Sequence, residues 1–300
     1  MTHLSWLEAG VVGAFQGVAE LFPVSSLGHS VLIPAWIGGS WQRDLNVSSP
    51  ESPYLAFIVG LHVATALALI VYFWRDWVRI IKGLLTSIGH REVKTNDQRL
   101  AWLLVLGTIP VGLVGLVGEH FFRTHLGKPV PTAIFLAFNG VILLVIEHLR
   151  RKDPETNSEY VDERVTGVES DARLAGQSVG QAVFIGALQI AALAPGISRS
   201  GVATAGGMFR GLSREDAARF SFLLATPVIL AAGVLKLPDL FGPLGNGIRG
   251  QVLFGSILSG VGAYLSIRFL TRYLANRSMR PFGIYCMVAG VASLVLFAVR

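Results

Sequence analysis

Charge is scarce in this chain. Asp, Glu, Lys and Arg make up 15% of its 300 residues, against about 25% in soluble domains. So thin a polar coat cannot keep 52% hydrophobic residues in water, and the mean hydropathy is +0.57. The chain therefore reads as an integral membrane protein. Cysteine is nearly absent. The single Cys286 excludes an intrachain disulfide and any cysteine-based metal cluster, and it reads as an inert small hydrophobe. Residues 1–42 contain no Lys or Arg, so the cationic start of a cleavable signal is missing. The net charge of +6 comes from cations in loops, with no basic stripe and no aromatic stacking pattern. A nucleic-acid partner is not expected. Neither a GxxxxGK phosphate loop nor an HExxH zinc helix occurs.

What is present is a set of apolar segments near spanning length: 54–74, 100–118, 132–149, 216–236, 248–267 and 282–299. Glycine is abundant at 34 residues, which suits close helix packing and broken helices, and permits a homodimer. Residues 4–19 and 30–38 are apolar but too short to span, and a polar break lies between them at 22–29. Such a pair reads as a re-entrant hairpin. A second hairpin is expected over about 177–211, around Pro195–Gly201.

Segments 75–99, 150–173 and 268–281 carry six, five and four Lys/Arg, whereas 119–131 and 236–250 carry two each. The positive-inside rule makes the three rich segments cytoplasmic loops and both termini external. The first hairpin then enters from outside and the second from inside. The expected architecture is an all-α polytopic membrane protein, a single membrane domain over 1–300. It has six transmembrane helices, two re-entrant helical hairpins and inverted repeats. The first repeat is 1–149, the cytoplasmic loop 150–173, and the second repeat 174–300. A weak internal similarity agrees: Gly13-Ala14-Phe15-Gln16 with Gly186-Ala187-Leu188-Gln189, and Pro23-Val24-Ser25-Ser26 with Pro195-Gly196-Ile197-Ser198. Inverted repeats with paired broken helices place a site where the breaks meet.

The chemistry gathers at those breaks. Pro195-Gly196-Ile197-Ser198-Arg199-Ser200-Gly201 sets one arginine and two serines among turn-forming residues inside apolar sequence. An ionisable residue at membrane depth is a functional candidate by default. A helix starting near Ser198 offers free N–H groups, and Arg199 can fork onto phosphate. At the first break, Gln16 and Glu20 are four apart and share a helix face. A buried carboxylate must be paired, protonated or metal-bound. Ser25, Ser26 and His29 follow. Together these groups suit a diphosphate, with Arg199 and hydroxyls on its oxygens and Glu20, helped by Gln16, holding a hard divalent cation. Ser26 or His29 could attack phosphorus while the other moves protons. The opposing reading makes Ser25 and Ser26 ordinary caps and His29 a hydrogen-bonded structural residue. His62, in mid-span, reads as packing or as a hydrogen bond to a neighbouring helix. Asp44, Asp76 and the acids of 153–171 read as solvated loop charges.

Gln16-Gly17-Val18-Ala19-Glu20 followed by Pro23-Val24-Ser25-Ser26-Leu27-Gly28-His29 resembles the first motif of the undecaprenyl pyrophosphate phosphatase family, the bacitracin-resistance type. Pro195–Gly201 resembles its second motif, and Gly211–Arg214 and Phe220–Leu224 are similar to the family too. The type-2 phosphatidic acid phosphatase pattern KxxxxxxRP is absent. The resemblance covers nearly the whole chain. It implies a bacterial plasma-membrane hydrolase that converts a C55 polyprenyl diphosphate to the monophosphate and inorganic phosphate, recycling the lipid carrier of cell-wall synthesis. It implies a need for a divalent cation, Mg²⁺ or Ca²⁺. The family's functional positions fall on Glu20, Ser26, His29, Ser198 and Arg199, with Gln16 in a Glu/Gln position. Gly196, Ser25, Ser200 and Thr204 join the expected diphosphate-binding set.

One departure stands out. The motif threonine falls at Ala203, and Thr204 comes one residue late, a turn of about 100° on a helix. The site is expected to face the external side, with a lateral gap for the lipid. The competing function is a polyprenyl-phosphate transporter or flippase that binds the diphosphate without cleaving it. Ser26 with His29 favours the enzyme, because a carrier needs no nucleophile. The spacing of three lets either of the two attack; the position of Ser26 at the break itself, nearest Arg199 and the helix ends, leans to Ser26 as nucleophile and His29 as base.

Overall fold

The structure is a computed structural model, and it describes residues 4–46, 53–150, 167–242 and 245–299. Among the described residues there are thirteen α-helices and no strands. They are α1 Trp6–Leu21, α2 Ser26–Ile37, α3 Gly39–Asp44, α4 Pro53–Tyr72, α5 Trp74–His90, α6 Asn96–Phe121 and α7 Pro129–Arg150. Then come α8 Gly167–Ala175, α9 Val179–Leu188, α10 Arg199–Phe209, α11 Arg214–Phe241, α12 Arg249–Asn276 and α13 Arg280–Val299. Six of them, α4, α6, α7, α11, α12 and α13, are long and apolar enough to cross a membrane. The chain is a multi-pass membrane protein.

The local sequence explains the two short helix pairs. Ser5 caps α1 and forms a capping box with Glu8. The helix stops at Leu21 because Phe22 precedes a proline and is held extended, at ψ 144°. α2 starts at once, so Ser26 and His29 lie in its first turn. The break is thus narrower than 22–29. α9 runs on into a 3₁₀ turn, Gln189–Leu193, before Pro195 ends it, and α10 starts at Arg199 with Ser198 as its cap.

Three other boundaries differ from the sequence expectation. The segment 75–99 is not a plain loop but largely helix α5. The apolar segment 248–267 continues as helix to Asn276. Hydropathy marks where a helix meets lipid, and the backbone keeps its hydrogen bonds beyond that point. Of the expected loop 150–173, residues 151–166 lie outside the described residues, and its end belongs to α8.

Apolar side chains gain little by leaving lipid for a helix interface, so the helices pack through small residues. α1 lies on α12, α9 lies on α6, α4 packs on α11 and on α12, and α7 packs on α13. A Cβ on Gly17 would fall 2.1 Å from the Ser259 carbonyl oxygen, and one on Gly186 would fall 1.8 Å from that of Gly107. Both hairpins are seated by glycine against a partner backbone.

One end of the bundle is tied by ions. Arg79 bonds Asp76, Asp97 and Asp171, Arg219 bonds Asp76 and Asp171, and Arg173 bonds Asp216. Arg214 forks onto Glu147, which also accepts from the Met279 N–H. Asp171, read from sequence as solvated, is 1% exposed. Acids in a charged segment look alike in sequence, whether they face water or a partner helix.

Candidate active site

The two breaks meet. Gly196 sits at φ 111°, and a Cβ there would lie 2.4 Å from the Thr132 carbonyl oxygen, so both the fold and the fit demand glycine. Ser25, at φ 65° and ψ 92°, is strained for a residue with a side chain. Its Oγ accepts from the Gly28 N–H and from the Gly196 N–H, each at 3.2 Å, so one hydroxyl caps α2 and also joins the hairpins. Across the seam, Ser198 and Ser200 donate to the Phe22 carbonyl at 3.4 and 3.2 Å. Asn139, from α7, completes it. Its Nδ2 donates to the Pro23 carbonyl at 2.9 Å, and its Oδ1 accepts from the Ser198 N–H at 3.0 Å. Thr204 is buried on α10, one turn beyond Ser200.

Glu20 is the hub of the charged groups. One carboxylate oxygen takes the Arg199 guanidinium from the other hairpin. The other accepts from Ser26 Oγ at 2.5 Å and from Gln16 Nε2 at 2.8 Å, with His62 Nε2 at 3.2 Å. The carboxylate is 4% exposed, the Arg199 side chain 17% and the His62 ring 25%. The arginine is therefore reachable from outside while its partner is not. Gln16 Oε1 is buried and has no hydrogen-bond partner, which leaves one oxygen donor spare beside the carboxylate.

His29 is placed differently from Ser26. A carbonyl can only accept, so Nδ1 donates to the Ser25 carbonyl at 2.8 Å, and in the neutral ring Nε2 accepts from the Tyr285 hydroxyl at 2.7 Å. Ser26 turns its hydroxyl to Glu20 instead. Spacing of three residues put the two on one face, but each found its own partner. Three residues at the site were not singled out as functional from sequence. His62 was read as packing or as a hydrogen bond to another helix, and its bond to Gln16 at 3.3 Å is such a bond. Asn139 carried a usable signal, a carboxamide in mid-span. Tyr285 carried none.

An all-α membrane protein with six spans, and two helical hairpins that meet at a buried acid–arginine pair, is the class defined by this fold and site. The family model described as "Bacitracin resistance protein BacA" matches residues 9–292. The chain belongs to that family. It is 62% identical to the undecaprenyl-diphosphatase of Mycolicibacterium paratuberculosis, over 99% of each chain. It is 49% identical to undecaprenyl-diphosphatase 1 of Frankia casuarinae over 100% of each, and 41% identical to undecaprenyl-diphosphatase 2 of Burkholderia ambifaria over 95% of each. All three names denote an enzyme, and the transporter reading finds no support in them.

Proposed function

We propose that this membrane protein is an undecaprenyl-diphosphatase, a hydrolase that releases inorganic phosphate from the lipid diphosphate and returns the monophosphate carrier. The observation that carries this reading is the Glu20–Arg199 pair where the two breaks meet. Arg199 exchanges one carboxylate oxygen for the diphosphate, which it can grip in two-pronged fashion. Ser198 and Ser200, once their hydroxyls turn from the Phe22 carbonyl, and the first N–H groups of α10 add donors, and Ser25, Gly196 and Thr204 complete the binding set.

Glu20 and Gln16 Oε1 would hold a hard divalent cation, Mg²⁺ or Ca²⁺, and two protein oxygens alone would leave it positions for substrate oxygens. Such an ion supplies charge neutralisation on the phosphoryl oxygens. Among the described residues no cluster of three or more His, Cys, Asp or Glu offers a fuller cage. Ser26 Oγ attacks the terminal phosphorus, its proton passing to His29 Nε2 once that ring has left Tyr285 and turned toward Ser26, while Glu20 Oε2 orients the hydroxyl. The bond from that phosphorus to the bridging oxygen breaks, and the lipid monophosphate leaves with the electron pair. Water then adds to the phosphoserine phosphorus as its bond to Ser26 Oγ breaks, inorganic phosphate leaves, and His29 returns the proton to Ser26 Oγ.

Among the described residues, the ion pairs of Arg79, Arg173, Arg214 and Arg219 share one end of the bundle, which supports a cytoplasmic placement of that end. The site then faces the external side of the plasma membrane. The matching seats of the two hairpins support inverted repeats over 1–149 and 174–300. Phosphate release from undecaprenyl diphosphate by the purified protein, with and without EDTA, tests the activity and the cation together. Rapid-quench of labelled substrate tests the nucleophile. Acid-stable phosphoserine, absent in Ser26→Ala, is expected. Acid-labile phosphohistidine persisting in Ser26→Ala would overturn the serine route.

A further inference from the structure

α5 is the helix that the bundle leaves facing outward without being a span. It follows α4 with only Phe73 between them, and it carries Arg75, Asp76, Arg79 and Lys82, too many charges for the hydrocarbon core. At about 100° per residue, Trp74, Val78, Ile81, Leu85 and Ile88 fall within an arc of roughly 80°. All five are exposed, from 43% to 64%. The opposite face is fixed: Ile80, Gly83 and Ser87 are buried. A Cβ on Gly83 would fall 2.8 Å from the Asp97 backbone, and Trp102 Nε1 donates to Ser87 Oγ at 2.9 Å. The stripe therefore cannot roll inward. Exposed Arg75 and Lys82 lie about 80–100° round from it, on its border. The Arg75 guanidinium sits 5.4 Å from the centre of the Trp74 ring.

A rigid apolar stripe with cations along its edge is the geometry of a helix lying in the plane of a membrane interface. We infer that α5 is such an in-plane anchor, its stripe sunk in the acyl region of one leaflet and Arg75 and Lys82 bound to the phosphates of anionic phospholipids. The only acid of the helix, Asp76, is occupied by Arg79 and Arg219 and does not compete for these headgroups. Arg79 also joins Asp97 of α6 and Asp171 of α8. Lipid engagement on α5 is thus coupled to the helix that leads into the second hairpin. The inference does not depend on the enzymatic reading.

Two measurements on the full chain test it. Leu85→Cys, or Ile81→Cys should the first variant fold poorly, is labelled with bimane; Cys286 is buried and stays silent. In vesicles, lipids brominated on the upper acyl carbons should quench the label and aqueous iodide should not. The reverse pattern overturns the in-plane placement. In detergent, added phosphatidylglycerol should raise the melting temperature more than phosphatidylcholine does, and Arg75→Gln with Lys82→Gln should lose most of that difference. An equal response to both lipids, or a difference retained in the double variant, overturns the headgroup assignment.

Discussion

Asn139→Ala removes the one side chain among the described residues that bonds to both breaks from a third helix. It leaves the Ser198 N–H without this partner and the Pro23 carbonyl with only the long contact from the Cys286 thiol at 3.8 Å. An unsatisfied buried group costs about 1–3 kcal/mol, so the expected loss is about 2–4 kcal/mol once some relaxation is allowed. The figure is instructive because a single interhelical side-chain bond in a membrane protein averages only about 0.6 kcal/mol, the unfolded chain finding substitutes in the bilayer. Asn139 should exceed that average because helix breaks, unlike helices, cannot satisfy their own backbone. Asn139→Asp should not recover the loss, because a buried carboxylate there carries an unpaired charge or must be kept neutral. Reversible unfolding in mixed micelles of mild detergent and SDS gives the free energies. Phosphate release should fall in parallel, since Glu20 and Arg199 approach from opposite sides of the seam. A loss for Asn139→Ala of no more than about 0.6 kcal/mol refutes the reasoning, because the breaks would then be held by other contacts.

Arg199→Lys keeps the charge but not the fork, and kcat/KM should fall at least tenfold; wild-type kinetics would remove the two-pronged contact. Gly17→Val drives a side chain into the Ser259 backbone and should cost about 1–3 kcal/mol or more in the same unfolding assay. Gly112→Ala, where a Cβ meets nothing within 4 Å, should be neutral, and equal effects would argue against the close α1–α12 seat. For orientation, an impermeant thiol reagent on intact cells should label Ser40→Cys and spare Glu92→Cys. The opposite labelling would invert the topology.

The spans and the breaks were legible because both rest on local physics. Uninterrupted apolar length marks a bilayer crossing, and Phe22-Pro23 and Pro195-Gly196 interrupt a helix wherever they occur. Glu20 and Arg199 were legible for a related reason: a charge at membrane depth needs a partner, and here each is the other's. What stayed hidden depends on how distant helices are set against one another. Nothing in the spacing of Ser26 and His29 says that one will turn to Glu20 and the other to Tyr285, 256 residues away in the chain. The nature of α5 was hidden by a count of cations that ignored their angular position. Asp171 was hidden because burial of an acid depends on Arg79 and Arg219 arriving from other helices.

The acid–arginine pair also bears on how the protein is made. Its members are 179 residues apart, and at about 5–20 residues per second the ribosome needs roughly 9–36 s to cover that interval. Through that time the first hairpin exists without the second, and its carboxylate has no guanidinium to meet. Until then, among the described residues, Glu20 has only Gln16, Ser26 and His62 of the first half beside it, so it waits paired with a protonated His62, in contact with water or as the neutral acid, because an unpaired charge in hydrocarbon is too costly. The seam between the hairpins can therefore close only after α10 has emerged. Closure of the seam is a post-insertional step, and a chain truncated before Arg199 presents an unfinished hairpin to the quality-control proteases of its membrane.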